Sequence, residues 1–157
     1  MKIMGKETIH PFLFYSGKIA GYIIWILYIL AFFKIINLKM ISIIWLDYAS
    51  YITLCAGFIF TIFSLFNLGA STRFGLPEEE TKFVAQGLYT ISRNPMYVGF
   101  HLFTISSALI NANIVIVIFS VYSIMVYHLI IKGEESFLEK RFGAEYVAYK
   151  NKVRRYL

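Results

Sequence analysis

The sequence predicts an all-α integral membrane protein with about four transmembrane helices, a C-terminal helical hairpin and a cytoplasmic interfacial helix. Three observations lead there. Of 157 residues, 59% are hydrophobic and only 15% are charged, where an ordinary soluble domain carries roughly 25% charged residues. Residues 48–72 and 94–131 contain no Asp, Glu, Lys or Arg at all, and apolar runs longer than about 18 residues read as membrane spans. The basic residues that remain gather at one set of span ends.

The first span is expected at roughly 17–37. Its uncharged centre runs from Ile19 to Phe33, and Lys18 and Lys34 flank it, able to snorkel to the interfaces. His10, before Pro11, receives no role. The apolar stretch is too long for a cleavable leader and no small-residue cleavage site closes it. The second span is expected at 43–69, with Asp47 near its start.

The run 94–131 would reach about 57 Å as one helix, against a hydrocarbon core of roughly 30 Å. It therefore turns at Asn111-Ala112-Asn113, giving a hairpin of spans 95–110 and 114–132. Pro95 has no amide hydrogen and a fixed φ, so it opens the third span. In the tail 133–157, Tyr146, Tyr149, Val153 and Tyr156 recur at steps of three and four, with Lys150, Lys152, Arg154 and Arg155 between them. That pattern predicts an amphipathic helix on an anionic membrane surface, after a helix end at Gly143. All of 1–157 forms a single domain.

Four spans put both termini on one side. That side then holds thirteen of the fifteen Lys and Arg residues, leaving only Lys34 and Lys39 outside. Basic segments stay in the cytoplasm, so both termini and the loop 70–94, with its triplet Glu78-Glu79-Glu80, are cytoplasmic. The formal net charge of +6 is explained by lipid head groups, not by nucleic acid. The single cysteine, Cys55, lies in an apolar run and permits no intrachain disulfide. No metal-ligand spacing is present, nor a phosphate-cradling glycine loop, a serine–histidine–acid arrangement or a Gly-x-Gly-x-x-Gly fingerprint. The sequence sets no oligomeric state.

Three features stand out against the apolar background. The first is the stretch from Gly87-Leu88-Tyr89 through Arg93-Asn94-Pro95-Met96-Tyr97-Val98-Gly99. Arg93 and Asn94 lie at the positive end of a helix dipole; Gly99 permits the close approach of a ligand or of another helix. The second is Glu134-Glu135, two acids on the basic face, read either as a solvated pair or as a site for a cation. The third is Arg141, seven residues after Glu134 on the same helix face. It either anchors to the interface or orients an anionic substrate group. His101 and His128 lie within spans, where ionisable residues face an interior or a polar cavity. Each serves as a helix contact, or His101 lines a ligand pocket.

Together the motifs Asn67-Leu68-Gly69, Gly87-Leu88-Tyr89, Arg93-Asn94-Pro95-Met96-Tyr97-Val98-Gly99, Glu134-Glu135-x-x-Leu138 and Arg141-Phe142-Gly143-x-x-Tyr146-x-x-Tyr149 resemble the isoprenylcysteine carboxyl methyltransferase family, a group that includes the phospholipid N-methyltransferases. The resemblance covers about residues 67–155. It implies S-adenosylmethionine as cofactor, held near the cytoplasmic face between the last two spans and the tail. Tyr89, Arg93, Asn94, Pro95, Tyr97, Gly99, His101, Glu134 and Glu135 are then cofactor-binding, with Glu135 and Arg141 at the reacting centre. Many members carry His where this chain has Asn94, which hydrogen-bonds but does not titrate near neutral pH. The expected reaction is carboxyl methylation of a lipophilic, isoprenylcysteine-like acid reaching the site from the bilayer. Phospholipid amine methylation is the first alternative. An intramembrane sterol-type reductase using a nicotinamide cofactor is the second, and a non-catalytic helical subunit the third.

Overall fold

A computed structural model of the chain describes residues 9–68 and 85–157. The acidic triplet and the rest of 69–84 lie outside the described residues, as do residues 1–8. The described chain is all helical: α1 (Pro11–Phe32), α2 (Ile44–Leu68), a single 3-10 turn (Gly87–Thr90), α3 (Pro95–Asn111), α4 (Ile114–Phe142) and α5 (Ala144–Lys152). Among the described helices, α1, α2 and α4 are long and apolar enough to cross a membrane. Their outward faces carry exposed Ile, Phe, Trp and Val side chains, for example Phe66 at 77% and Ile52 at 70%. These faces suit lipid, not water.

Three expected boundaries shift. The first helix starts at Pro11, six residues before the expected 17, because Pro at the first position donates no hydrogen bond that the helix lacks. It ends near Phe33, not at 37, because Lys34 takes a positive φ of 58°. The fourth helix does not stop at 132. It runs unbroken to Phe142, 29 residues, so Glu134 and Glu135 lie inside it and not in a tail. The strong helix formers Glu, Leu and Lys that follow outweigh the cost of about 1 kcal/mol at Gly133. The rest of the tail forms α5, and Val153 to Leu157 leave the helix and turn back onto the bundle.

The hairpin turn falls where expected. Ala112 takes the left-handed conformation, and the Asn113 side chain accepts from the Val115 amide at 3.0 Å, capping α4. Pro95 opens α3 and Gly143, at φ 53°, closes α4.

Small residues and hydroxyls set the packing, as in helix pairs that gain little from burying apolar surface in lipid. Along α2 and α3, Ser50 and Ser106 each donate to the other's backbone carbonyl, at 3.0 and 2.8 Å. A Cβ placed at Gly99 would strike the Thr61 side chain and come within 2.8 Å of the Gly57 carbonyl of α2. Along α1 and α4, Gly17 lies directly on Val126, Gly21 faces Ser123, and Ser123 donates to the Gly17 carbonyl at 3.2 Å. Ser107 of α3 donates to the Ile24 carbonyl of α1 at 2.7 Å. The seam between α1 and α4 closes over Phe14, Val126, Tyr127 and Ile130, with Tyr97, Phe100 and Tyr122 against it.

Candidate functional site

The N-terminus of α3 is the natural place to start. Asn94 is its cap residue, yet its side chain makes no cap hydrogen bond. Instead the amide donates across to α4, to Glu135 Oε1 at 2.9 Å. Arg93, one residue earlier, donates to the same carboxylate from Nε (3.1 Å) and Nη2 (3.3 Å). Its Nη1 turns to the tail, donating to the carbonyls of Lys150 (3.0 Å) and Val153 (2.6 Å). Arg155 completes the cluster, donating to Glu135 Oε2 from Nε (3.0 Å) and Nη2 (2.8 Å).

Glu135 thus accepts five hydrogen bonds from three side chains, with its own side chain 4% exposed. Backbone bonds reinforce the clamp: the Arg93 amide donates to the Arg154 carbonyl at 2.8 Å, and the Ser92 hydroxyl donates to the Arg155 carbonyl at 3.3 Å. A carboxylate bound in two directions by two guanidiniums is held in position and has little capacity left for a further cation. It ties together the start of α3, the middle of α4's last turns and the end of the chain.

Glu134 is one residue away and points about 100° elsewhere around the helix. It faces the α1 and α3 side, where the Tyr97 hydroxyl donates to its Oε1 at 2.7 Å. Tyr97 stacks tilted against Tyr127, ring centroids 5.9 Å apart. Lys18 of α1 is the cation whose field reaches Glu134. Among the described residues this carboxylate therefore has one neutral hydrogen-bond donor, Tyr97, with the ring of Tyr127 beyond it.

Close to Tyr127, whose ring meets that of His101, lies an open cleft of about 370 Å³ lined by His101, Ile124, Met125, His128, Leu129 and Tyr156, a size typical of small-ligand pockets. Its polar edge is built: His128 Nδ1 and the Tyr156 hydroxyl are 2.7 Å apart, and the His101 ring lies edge-on to both Tyr127 and Tyr156. Above it, Tyr149 of α5 donates to the Tyr89 carbonyl at 2.6 Å, docking α5 on the 3-10 turn. Burial holds the Tyr149 hydroxyl protonated, pushing its pKa up to about 12, and raises those of Tyr89 and Tyr146 as well.

The structure therefore gathers most of the residues singled out by sequence. Arg93, Asn94 and Glu135 form one cluster, Tyr97 and Glu134 a second, and His101 lines the cavity between α3, α4 and the tail. Tyr89 contributes its backbone at the edge. Pro95 is buried as the first residue of α3. Gly99 is not with them: its missing side chain accommodates α2. Arg141 lies two turns beyond Glu134, its guanidinium 5.6 Å from the Phe142 ring. Sequence reasoning missed Arg155 and Tyr156 as site residues: their periodicity reads as a surface helix, and they reach the site only because the chain folds back. It also placed Lys18 at a helix end, whereas it lies seven residues inside α1. The Gly17-x-x-x-Gly21 spacing is the signal that α1 packs closely enough to bring Lys18 to this face.

The protein-S-isoprenylcysteine O-methyltransferase of Saccharomyces cerevisiae is 38% identical over 79 residues, 48% of this chain and 32% of that protein. The protein-S-isoprenylcysteine O-methyltransferase B of Arabidopsis thaliana is 32% identical over 79 residues, 48% of this chain and 39% of that protein. The aligned stretch thus spans between about a third and two fifths of these relatives' length. No solved structure matches. The family model for phospholipid methyltransferases matches residues 45–145, a stretch that holds α3, the acidic pair and the Arg93–Asn94 corner, and the chain belongs to that family.

Proposed function

We propose that this protein transfers a methyl group from S-adenosylmethionine to a lipophilic, isoprenylcysteine-like acid at the cytoplasmic face of a membrane. The observation that carries this reading is the division of the acidic pair. Glu135 is saturated by Arg93, Asn94 and Arg155, while Glu134 keeps a single phenol donor in an aromatic pocket. A carboxylate so placed suits a ligand with a positive charge, and the faces of Tyr97 and Tyr127 suit it too. The names of the two relatives supply the acceptor class.

The donor set fits S-adenosylmethionine. Glu134 and Tyr97 would hold its cationic end, and His101, His128 and Tyr156 would surround its uncharged bulk in the cavity. Bound there, it supplies an electrophilic methyl group on a positively charged sulfur. The protein's part is to align that group with the acceptor and to keep water out, because charge neutralisation proceeds faster in a low-dielectric pocket. An acid acceptor needs no general base. The match to phospholipid methyltransferases favours an amine acceptor as the second reading; His101 or His128 would then take the proton.

The same reading assigns α3 as a fourth span. Its 17 residues reach about 26 Å, close to the hydrocarbon thickness, with α2 and α1 against its sides. Both termini then lie in the cytoplasm, and Lys150, Lys152 and Arg154 face the head groups.

Calorimetric titration of the detergent-purified protein tests the reaction class. Binding of S-adenosylmethionine and none of a nicotinamide dinucleotide is expected; the reverse result sinks the assignment.

A further inference from the structure

Lys18 is an unusual residue for its position. Helix α1 begins at Pro11, so Lys18 lies about 10 Å along the helix from its start, within an apolar segment where charged side chains seek partners. Among the described residues, no carboxylate comes within ion-pair distance of its ammonium. The ammonium rests 4.0 Å from the centroid of the Phe14 ring. Phe14 is itself 2% exposed, in the cluster that Tyr97 packs against. Gly17, the preceding residue, lies directly on Val126, and Gly21 on Ser123 and Tyr127. This close approach brings Lys18 to the aromatic cluster against which Tyr97, the hydroxyl donor to Glu134, packs.

Two opposite charges thus flank one aromatic cluster, each resting on a neutral partner: Lys18 on Phe14, Glu134 on Tyr97. Such a pair is complementary to two ligands of opposite sign. Glu134 is matched by the cationic methyl donor of the proposed reaction, on which this inference rests. The remaining charge is matched by an anion.

We propose that Lys18 is the positioning residue for the acceptor, its ammonium pairing with the acceptor's carboxylate beside the methyl donor. This role falls to Lys18 and not to Arg141, which lies about 10 Å further along α4 with its guanidinium beside Phe142. Lys18 also precedes the stretch 45–145 that matches the family, so acceptor selection is carried by a part of the chain outside that stretch. A methyl ester presents no charge for Lys18 to hold, so the product loses this contact as it forms.

The test uses the full-length protein in lipid nanodiscs, titrated by calorimetry with an N-acetylated S-isoprenylcysteine acid and with its neutral carboxamide. The wild type is expected to prefer the acid by about tenfold, the value of one charge-assisted contact away from bulk water. In Lys18→Gln the two ligands bind alike; in Lys18→Arg the preference persists. An acid preference that survives Lys18→Gln, or that the wild type never shows, overturns the proposal. S-adenosylmethionine titrated into the same samples reports on fold and donor site. Intact donor binding with an unaltered acid preference in Lys18→Gln removes Lys18 alone. Absent donor binding in the wild type removes the methyl-transfer reading, while the acid-to-amide ratio still judges Lys18.

Discussion

Adjacent residues on an α-helix point about 100° apart, and here that angle separates two carboxylates into two environments. Glu135 is enclosed by two guanidiniums and an amide. Removing its charge leaves Arg93 and Arg155 facing each other, and breaking a buried ion pair from one side costs about 3–5 kcal/mol. Glu135→Gln is therefore expected to lower the thermal midpoint in detergent clearly. Glu134→Gln keeps an oxygen for the Tyr97 hydroxyl and removes only the charge. It should melt close to the wild type while losing about tenfold in S-adenosylmethionine affinity, the weight of one contact to a charged group. If instead Glu135→Gln melts normally and loses the ligand, the cation site belongs to Glu135. The sequence offered both acids as candidates, and spacing alone could not divide them. What divides them is the company of Arg155, supplied by a chain end that no motif marks.

Among the elements, α5 and the residues after it act as a strap. Arg93 bonds the carbonyls of Lys150 and Val153, Tyr149 bonds the Tyr89 carbonyl, and Tyr156 meets His128. The Lys150–Glu139 pair at 2.7 Å is about 40% exposed on each side and adds little. The tyrosine contact gives the strap a pH dependence whose sign is fixed. Burial raises the Tyr149 pKa from 10.0 to about 12, so the docked form holds the neutral phenol. Its contribution is complete below pH 10 and is lost as pH rises towards 12. Hydrogen exchange of the α5 amides is expected to accelerate across that window in the wild type, with no such step in Tyr149→Phe. An equal step in both proteins would place the alkaline transition elsewhere. The periodicity of tyrosines announced this helix, and Gly143 announced its start. The expected surface helix extends only to Lys152, and the tyrosine that marks its apolar face packs on protein: Tyr146 is 2% exposed.

At the scale of the whole molecule, the bundle is legible in its uncharged runs and the hairpin in one Asn-Ala-Asn turn. Its packing is written in small residues, Gly17, Gly21, Gly57, Gly99, Ser50 and Ser106, whose meaning depends on knowing which helices meet. Only three described helices satisfy length and apolarity by themselves; α3 is shorter, and hydroxyl pairs to its neighbours compensate for its more polar surface. Whether it spans decides the topology. With α3 across the membrane, the connection between α1 and α2 and the turn at Asn113 lie on one side, and the strap on the other. The hydrogen bond from Asn113 Nδ2 to the Leu38 carbonyl, at 2.8 Å, already joins those two turns at one end of the bundle. On the proposed topology that end lies outside, where only Lys34 and Lys39 are found. In a Cys55→Ser background, a cysteine introduced by Lys39→Cys should react with a membrane-impermeant maleimide added to sealed, right-side-out vesicles. One introduced by Lys152→Cys should react only after the vesicles are opened. Labelling of both from one side would mean that the chain crosses an even number of times between them, leaving α3 on the surface and the proposed pocket without its inner wall.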